Sequence, residues 1–234
     1  MTGAARSRHG ARILFALGAL ALALLAATPA RVLADAPASD EARLRARLAP
    51  EVAQQVLAIV REARDAGLPA DPLVARAFEG ASRGVDAAGI VASVRRQATS
   101  LAHARTALGG AAAADEIVAG ASALLAGVPA DSLARLRSAR AGGSLVIPLV
   151  VLCDLVARGV PVEAASVAVL TAARAGATDG SLLRIRERIR TRIESGGAPA
   201  GAAGDIVRQW LKEGPGKRGG AAASEPPAPP GVRH

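Results

Sequence analysis

Five arginines occupy every second position from 184 to 192: Arg184, Arg186, Arg188, Arg190 and Arg192. Guanidinium groups bind phosphate and carboxylate through paired hydrogen bonds, so this run could hold an anionic surface of lipid, lipopolysaccharide or nucleic acid. Glu187 breaks the alternation a strand would need. Read as a helix, Ile185, Ile189 and Ile193 form a stripe four residues apart, and the arginines cover the rest of the circumference. The same pattern also describes the solvated outer face of the last core helix, where arginine favours the C-terminal end of the dipole.

A second feature could recognise a partner. Ile206, Val207, Trp210 and Leu211 share one face of a short amphipathic segment, 205–212, which Asp205 can cap. On a flexible tether, Trp and Leu would anchor such a segment in a partner's groove. The alternative is docking back on the chain's own domain.

Chemistry that needs a cluster has little to draw on. Beyond residue 34 the histidines are His103 and His234, and Cys153 is the single cysteine, so no metal centre is expected. A nucleophilic pair of Cys153 and His103 would need a contact the spacing does not supply. Cys153 sits in the apolar stretch 145–156, which reads as a buried, inert thiol; an intermolecular disulfide or a reactive thiol is the alternative. Asp154 is the one acid in that helix, either perturbed in a cleft or paired with Arg158 four residues on. In Asp40-Glu41 and Asp115-Glu116 adjacent side chains diverge by about 100° on a helix, so neither pair shares one substrate. The glycines occur singly or in pairs at helix ends, with no following Lys-Ser or Lys-Thr, so no phosphate loop is present. No catalytic residue and no cofactor are expected, and the chain is not expected to be an enzyme.

The elements positioning these groups read as consecutive helices. Ser39 can cap a first helix, and Pro50 starts a second or kinks the first. Val52, Val56, Ile59, Val60 and Ala63 fall on one face. Asp71-Pro72 opens a third helix, and Asp86 caps a longer one that Gly109-Gly110 stops. Further helices are expected over 112–126, from Asp131 to Gly142-Gly143, over 145–158 with Ser144 as cap, over 162–175 and over 179–194. The 145–158 helix, apolar nearly all round, should be the most central, with a buried strand over 145–152 as the alternative.

Three near-copies punctuate this order: Gly67-Leu68-Pro69-Ala70-Asp71, Gly127-Val128-Pro129-Ala130-Asp131 and Gly159-Val160-Pro161-Val162-Glu163. The glycine suits the left-handed end of one helix, the proline blocks continuation, and the acid is expected to cap the next. Such punctuation fits antiparallel short-helix hairpins, arranged as an irregular bundle or a short α-solenoid.

The two ends differ from this body. Arg6, Arg8 and Arg12 precede 15 uncharged residues, 13–27, and Val32-Leu33-Ala34 offers a cleavage site. Residues 1–34 therefore read as a secretory signal peptide, with cleavage after Ala34 and a periplasmic or secreted product. Domain 35–194 is the helical body, with no transmembrane span expected in the mature chain. Residues 195–234 read as a flexible tail that carries the 205–212 segment.

Composition sets the remaining bounds. The chain has 59 alanines among 234 residues, no tyrosine and one tryptophan. Cores must be built from Leu, Val, Ile and Ala. The formal charge of +9 falls to +5 without residues 1–34, which disfavours nucleic acid as a partner. These features lead to an all-α, exported, non-enzymatic module that binds an unknown protein or peptide in the cell envelope. The alternatives are an anionic-surface binder and a hydrolase of unfamiliar pattern.

Overall fold

The computed structural model of the chain describes residues 36–214. The expected signal peptide, 1–34, and the end of the expected tail, 215–234, lie outside the described residues. Among the described residues the chain is all-α, with ten helices and no strand. They are α1 (Ala36–Arg47), α2 (Pro50–Asp65), α3 (Asp71–Ser82), α4 (Ala87–Leu108), α5 (Ala114–Leu125), α6 (Ala130–Ala139), α7 (Val146–Ala157), α8 (Val162–Arg174), α9 (Asp179–Glu194) and α10 (Pro199–Glu213).

Local chemistry explains most boundaries. Pro50 opens α2, where its fixed φ suits a first helical turn and its missing N–H costs nothing. Asp86 caps α4 by accepting the Gly89 N–H at 2.8 Å. Thr178 does the same for α9, accepting the Ser181 N–H at 3.2 Å. Six helices end in one turn, with a left-handed glycine at 67, 84, 127, 159, 176 or 196. At each, the residue after the glycine donates its N–H to the carbonyl five residues back; Val128 donates to Ala123 at 3.0 Å and Val160 to Leu155 at 3.0 Å. The three motif copies are therefore half of a set of six.

The acids of those motifs do not cap. The cap positions of α3, α6 and α8 are Ala70, Pro129 and Pro161, and none forms a side-chain capping bond. Asp71, Asp131 and Glu163 lie one or two positions inside, where a carboxylate still stabilises the positive end of the dipole. Ser39 likewise falls inside α1, and α7 takes Leu145 rather than Ser144 at its cap position.

The helices alternate between two rows. Even-numbered helices pack in succession, α2 on α4, α4 on α6, α6 on α8, and α8 on α10. Odd-numbered helices pair as α1 with α3, then α5 with α7 and α7 with α9. Between α3 and α5 the odd row is interrupted, and the 22-residue α4 bridges the break by packing on both. One hydrophobic cluster runs through the array from Leu44 in α1 to Trp210 in α10. Helix α7, with Leu149, Val151, Leu152 and Leu155 buried, packs on α5, α8 and α9.

The stretch 195–204, expected as a linker, is different in the structure. A turn at Gly196 leads directly into α10, which Pro199 opens. Ala202 and Ala203 are buried, because small side chains let α10 approach α8 and α9 closely. Asp205 is an interior residue of α10 that pairs with Arg208, so it caps nothing.

Candidate interaction surface

The even row carries the surface features. On α8, Ala165, Ala168, Val169, Ala172 and Ala173 face inward. The opposite side stands up as a ridge, on which Val167 is 63% exposed, the most exposed large apolar side chain described. Burying apolar surface is favourable by roughly 25 cal/mol per Å2, so an aliphatic ridge left in water is a candidate contact.

Apolar troughs flank the ridge. One of about 180 Å3 runs between α6 and α8, lined by Leu136, Leu152, Val162 and Leu170. Ser166 opens onto it, with a buried hydroxyl that has no hydrogen-bond partner among the described residues. Another, about 420 Å3, lies between α8 and α10 and is lined by Ala164, Ala168, Ala200, Gly204, Val207 and Leu211. Glu163 and Val167 border both. A third, about 480 Å3, lies between α2 and α4, floored by Ile59 and Ala63 and edged by Ala58, Ala102, Glu62 and Arg95. All three follow seams between consecutive even-numbered helices.

The Trp210 segment is placed in cis. Val207 and Trp210 are buried against α8 and α9, Ile206 packs partly against the same core, and only Leu211 stays open, at 36%. Arg188 and Glu213 tie the end of α10 to α9 at 3.2 Å. In this conformation the face read as a partner anchor is spent on the chain itself, and Leu211 joins the α8–α10 trough.

The arginine run lies on α9 with acids set among it. Arg190 pairs with Glu187 and with Glu194 at 2.9 Å, and Arg186 lies 4.0 Å from Asp154. The hydrogen bond from Arg190 holds the Glu187 carboxyl below its usual range. Arg184 donates to the Ser181 hydroxyl at 3.2 Å, and Arg184 and Arg192 have no carboxylate partner among the described residues. Three of the five arginines, Arg186, Arg188 and Arg190, thus face carboxylates, and the run is not a continuous unpaired cationic face.

The isolated chemical groups remain apart. Asp154 accepts from Arg158 at 2.8 Å, the pairing expected from their spacing. Cys153 is half-buried in α7, and burial pushes its thiol pKa up. His103 is exposed on α4, and no hydrogen bond joins it to Cys153 among the described residues. Asp40 meets Arg43 and Arg64 at 3.5 Å each. Among the described residues no three His, Cys, Asp or Glu side chains gather as metal ligands, and no helix is long and apolar enough to cross a membrane.

One acid, set aside in the sequence as half of the Asp115-Glu116 pair, has a structural role that this reading missed. Glu116, 6% exposed, joins three elements: its carboxylate accepts from Arg137 at 2.7 Å, from the Leu145 N–H at 2.7 Å and from the Ala113 N–H at 3.1 Å. The available signal is a glutamate three positions after the residue preceding α5, the acid position of a capping box. The α8 ridge was also missed. Its signal is the 4-3-4 spacing of Glu163, Val167, Leu170 and Arg174, which an inward-face reading passes over.

Against known proteins, the chain matches no protein-family model, no curated protein and no solved structure.

Proposed function

We propose that the chain is a protein- or peptide-binding module whose partner lies across the even-numbered helices. The observation that carries this reading is the run of apolar troughs along one row, at α2–α4, α6–α8 and α8–α10. Stacked helix hairpins offer extended surfaces of this kind, and binding there needs no chemistry from the module itself. The basic start and the apolar run 13–27 support a setting in the cell envelope. An anionic partner on α9 has less support, because Glu187, Glu194, Glu213 and Asp154 neutralise much of the arginine run.

Site-specific photo-crosslinking in the producing cells tests the reading. A crosslinker at Ala102, on the α2–α4 trough, is expected to capture a partner that Ala58→Glu abolishes. Capture through Val150 on the odd row, unaffected by Ala58→Glu, would overturn it.

A further inference from the structure

We propose that the ridge of α8 is the two-fold contact of a homodimer, with the helices of two copies lying antiparallel. The proposal rests on the even row being a contact surface and names the occupant of its α8 segment.

Four residues of α8 recur at intervals of four, three and four: Glu163, Val167, Leu170 and Arg174. At helical spacing they make one strip, about 16 Å from first to last. An acid stands at one end and a base at the other, and between them lie Val167, exposed on the crest, and Leu170, half-buried at the wall of the α6–α8 trough. The strip is symmetric about its centre. The midpoint of 163 and 174 coincides with the midpoint of 167 and 170, between Ala168 and Val169.

Turning such a strip end for end exchanges its charges while keeping its apolar middle. A second copy laid antiparallel brings each Glu163 opposite an Arg174, twice, and each Val167 beside a Leu170. That is the requirement for an isologous interface, in which one patch complements itself.

The charges are free to do this. Glu163 and Arg174 form no ion pair among the described residues. The flanking helices satisfy their own, with Arg135 on Asp131 in α6 and Arg208 on Asp205 in α10. Both charged residues are exposed. Ala164 and Thr171 stand beside the ridge, and small side chains let two helix axes approach to the 8–10 Å of ordinary packing. Each Val167 then enters a trough beside the other copy's α8, while the α2–α4 trough stays open for a different partner.

Sedimentation of the full chain, and of a chain starting at Asp35 to set aside the apolar run 13–27, tests the proposal through charge exchange. Both chains are expected to be dimers. Glu163→Arg and Arg174→Glu are each expected to weaken the dimer by roughly tenfold to a hundredfold, because each places like charges together twice. The double variant Glu163→Arg/Arg174→Glu is expected to restore it. Val167→Glu, at an exposed helical site that tolerates glutamate, is expected to give folded monomer by circular dichroism. A monomeric wild type, a dimer indifferent to Val167→Glu, or a double variant no better than the singles would each overturn the proposal. A wild-type monomer that loses a foreign partner on Val167→Glu would overturn the dimer and leave the even-row binding surface standing.

Discussion

Glu116, in the first turn of α5, lies 2.7 Å from Arg137, near the end of α6, with almost no exposure to water. Arg137 also donates to the Gly143 carbonyl at 2.9 Å, and Glu116 also holds the Leu145 N–H that precedes α7. The pair therefore joins three consecutive helices, beside the apolar contact of Leu133 in α6 with α5 at Gly120.

This tie should make stability depend on acid. Burial raises the Glu116 pKa, but hydrogen bonds from Arg137, Leu145 and Ala113 together outweigh it, and the net shift is below the ordinary value of 4.5. A folded value below the unfolded one means the stabilisation is complete above that ordinary value. It is lost as pH falls through the folded value. Urea unfolding from pH 7 to pH 3 should show this loss, and Glu116→Gln should flatten it. At pH 7 the same substitution should cost about 1–3 kcal/mol, since the charged hydrogen bonds to Arg137 weaken.

Two glycines should respond oppositely to alanine. Gly127 has φ +90°, where a Cβ is strained even with space around it, so Gly127→Ala should destabilise by about 1–2 kcal/mol. Gly201 lies inside α10 with open space at its Cβ position, so Gly201→Ala should stabilise by about 0.4–1 kcal/mol. Denaturant midpoints for the two variants check both signs.

The single tryptophan reports whether α10 is docked. Trp210 is 8% exposed, so its emission should be blue-shifted in the folded chain. Val207→Asp puts a charge into the buried face of α10 and should release that helix. The expected result is a red shift at low denaturant while most far-ultraviolet helicity persists. Unshifted emission would contradict the docked position.

Cys153 should be a slow thiol. Burial lifts its pKa above 9.0, so thiolate is scarce at neutral pH. Reaction with a disulfide reagent at pH 7 should be slow in the folded chain and accelerate sharply in urea. Fast native labelling would contradict the hindered, half-buried position of the thiol.

Helix positions were largely legible in the residues themselves. Pro50, Asp86 and the Gly109-Gly110 pair mark boundaries that backbone chemistry dictates, and the structure uses each of them. Four features were not legible. Gly, Ala and Pro over 195–204 carry a linker composition, yet alanine is also the best helix former and the smallest residue to bury, and Ala202 and Ala203 show that use. The capping acids were misplaced by a residue or two because Pro129 and Pro161 themselves take the cap position. The row arrangement was hidden for another reason. It depends on contacts between helices two apart, such as α6 on α8, which no local pattern in either helix encodes. The outward strip of α8 was passed over because Val167 shares its residue type with the core, and only its 63% exposure sets it apart.

Every substantial contact in the array joins helices one or two places apart in the chain. Contact order is therefore low, and low contact order goes with fast folding. Each hairpin can settle on a neighbour that has already emerged, with no segment held unsatisfied until a distant stretch appears. Little apolar surface is left waiting during synthesis, which leaves few openings for aggregation in a chain whose core is almost wholly aliphatic.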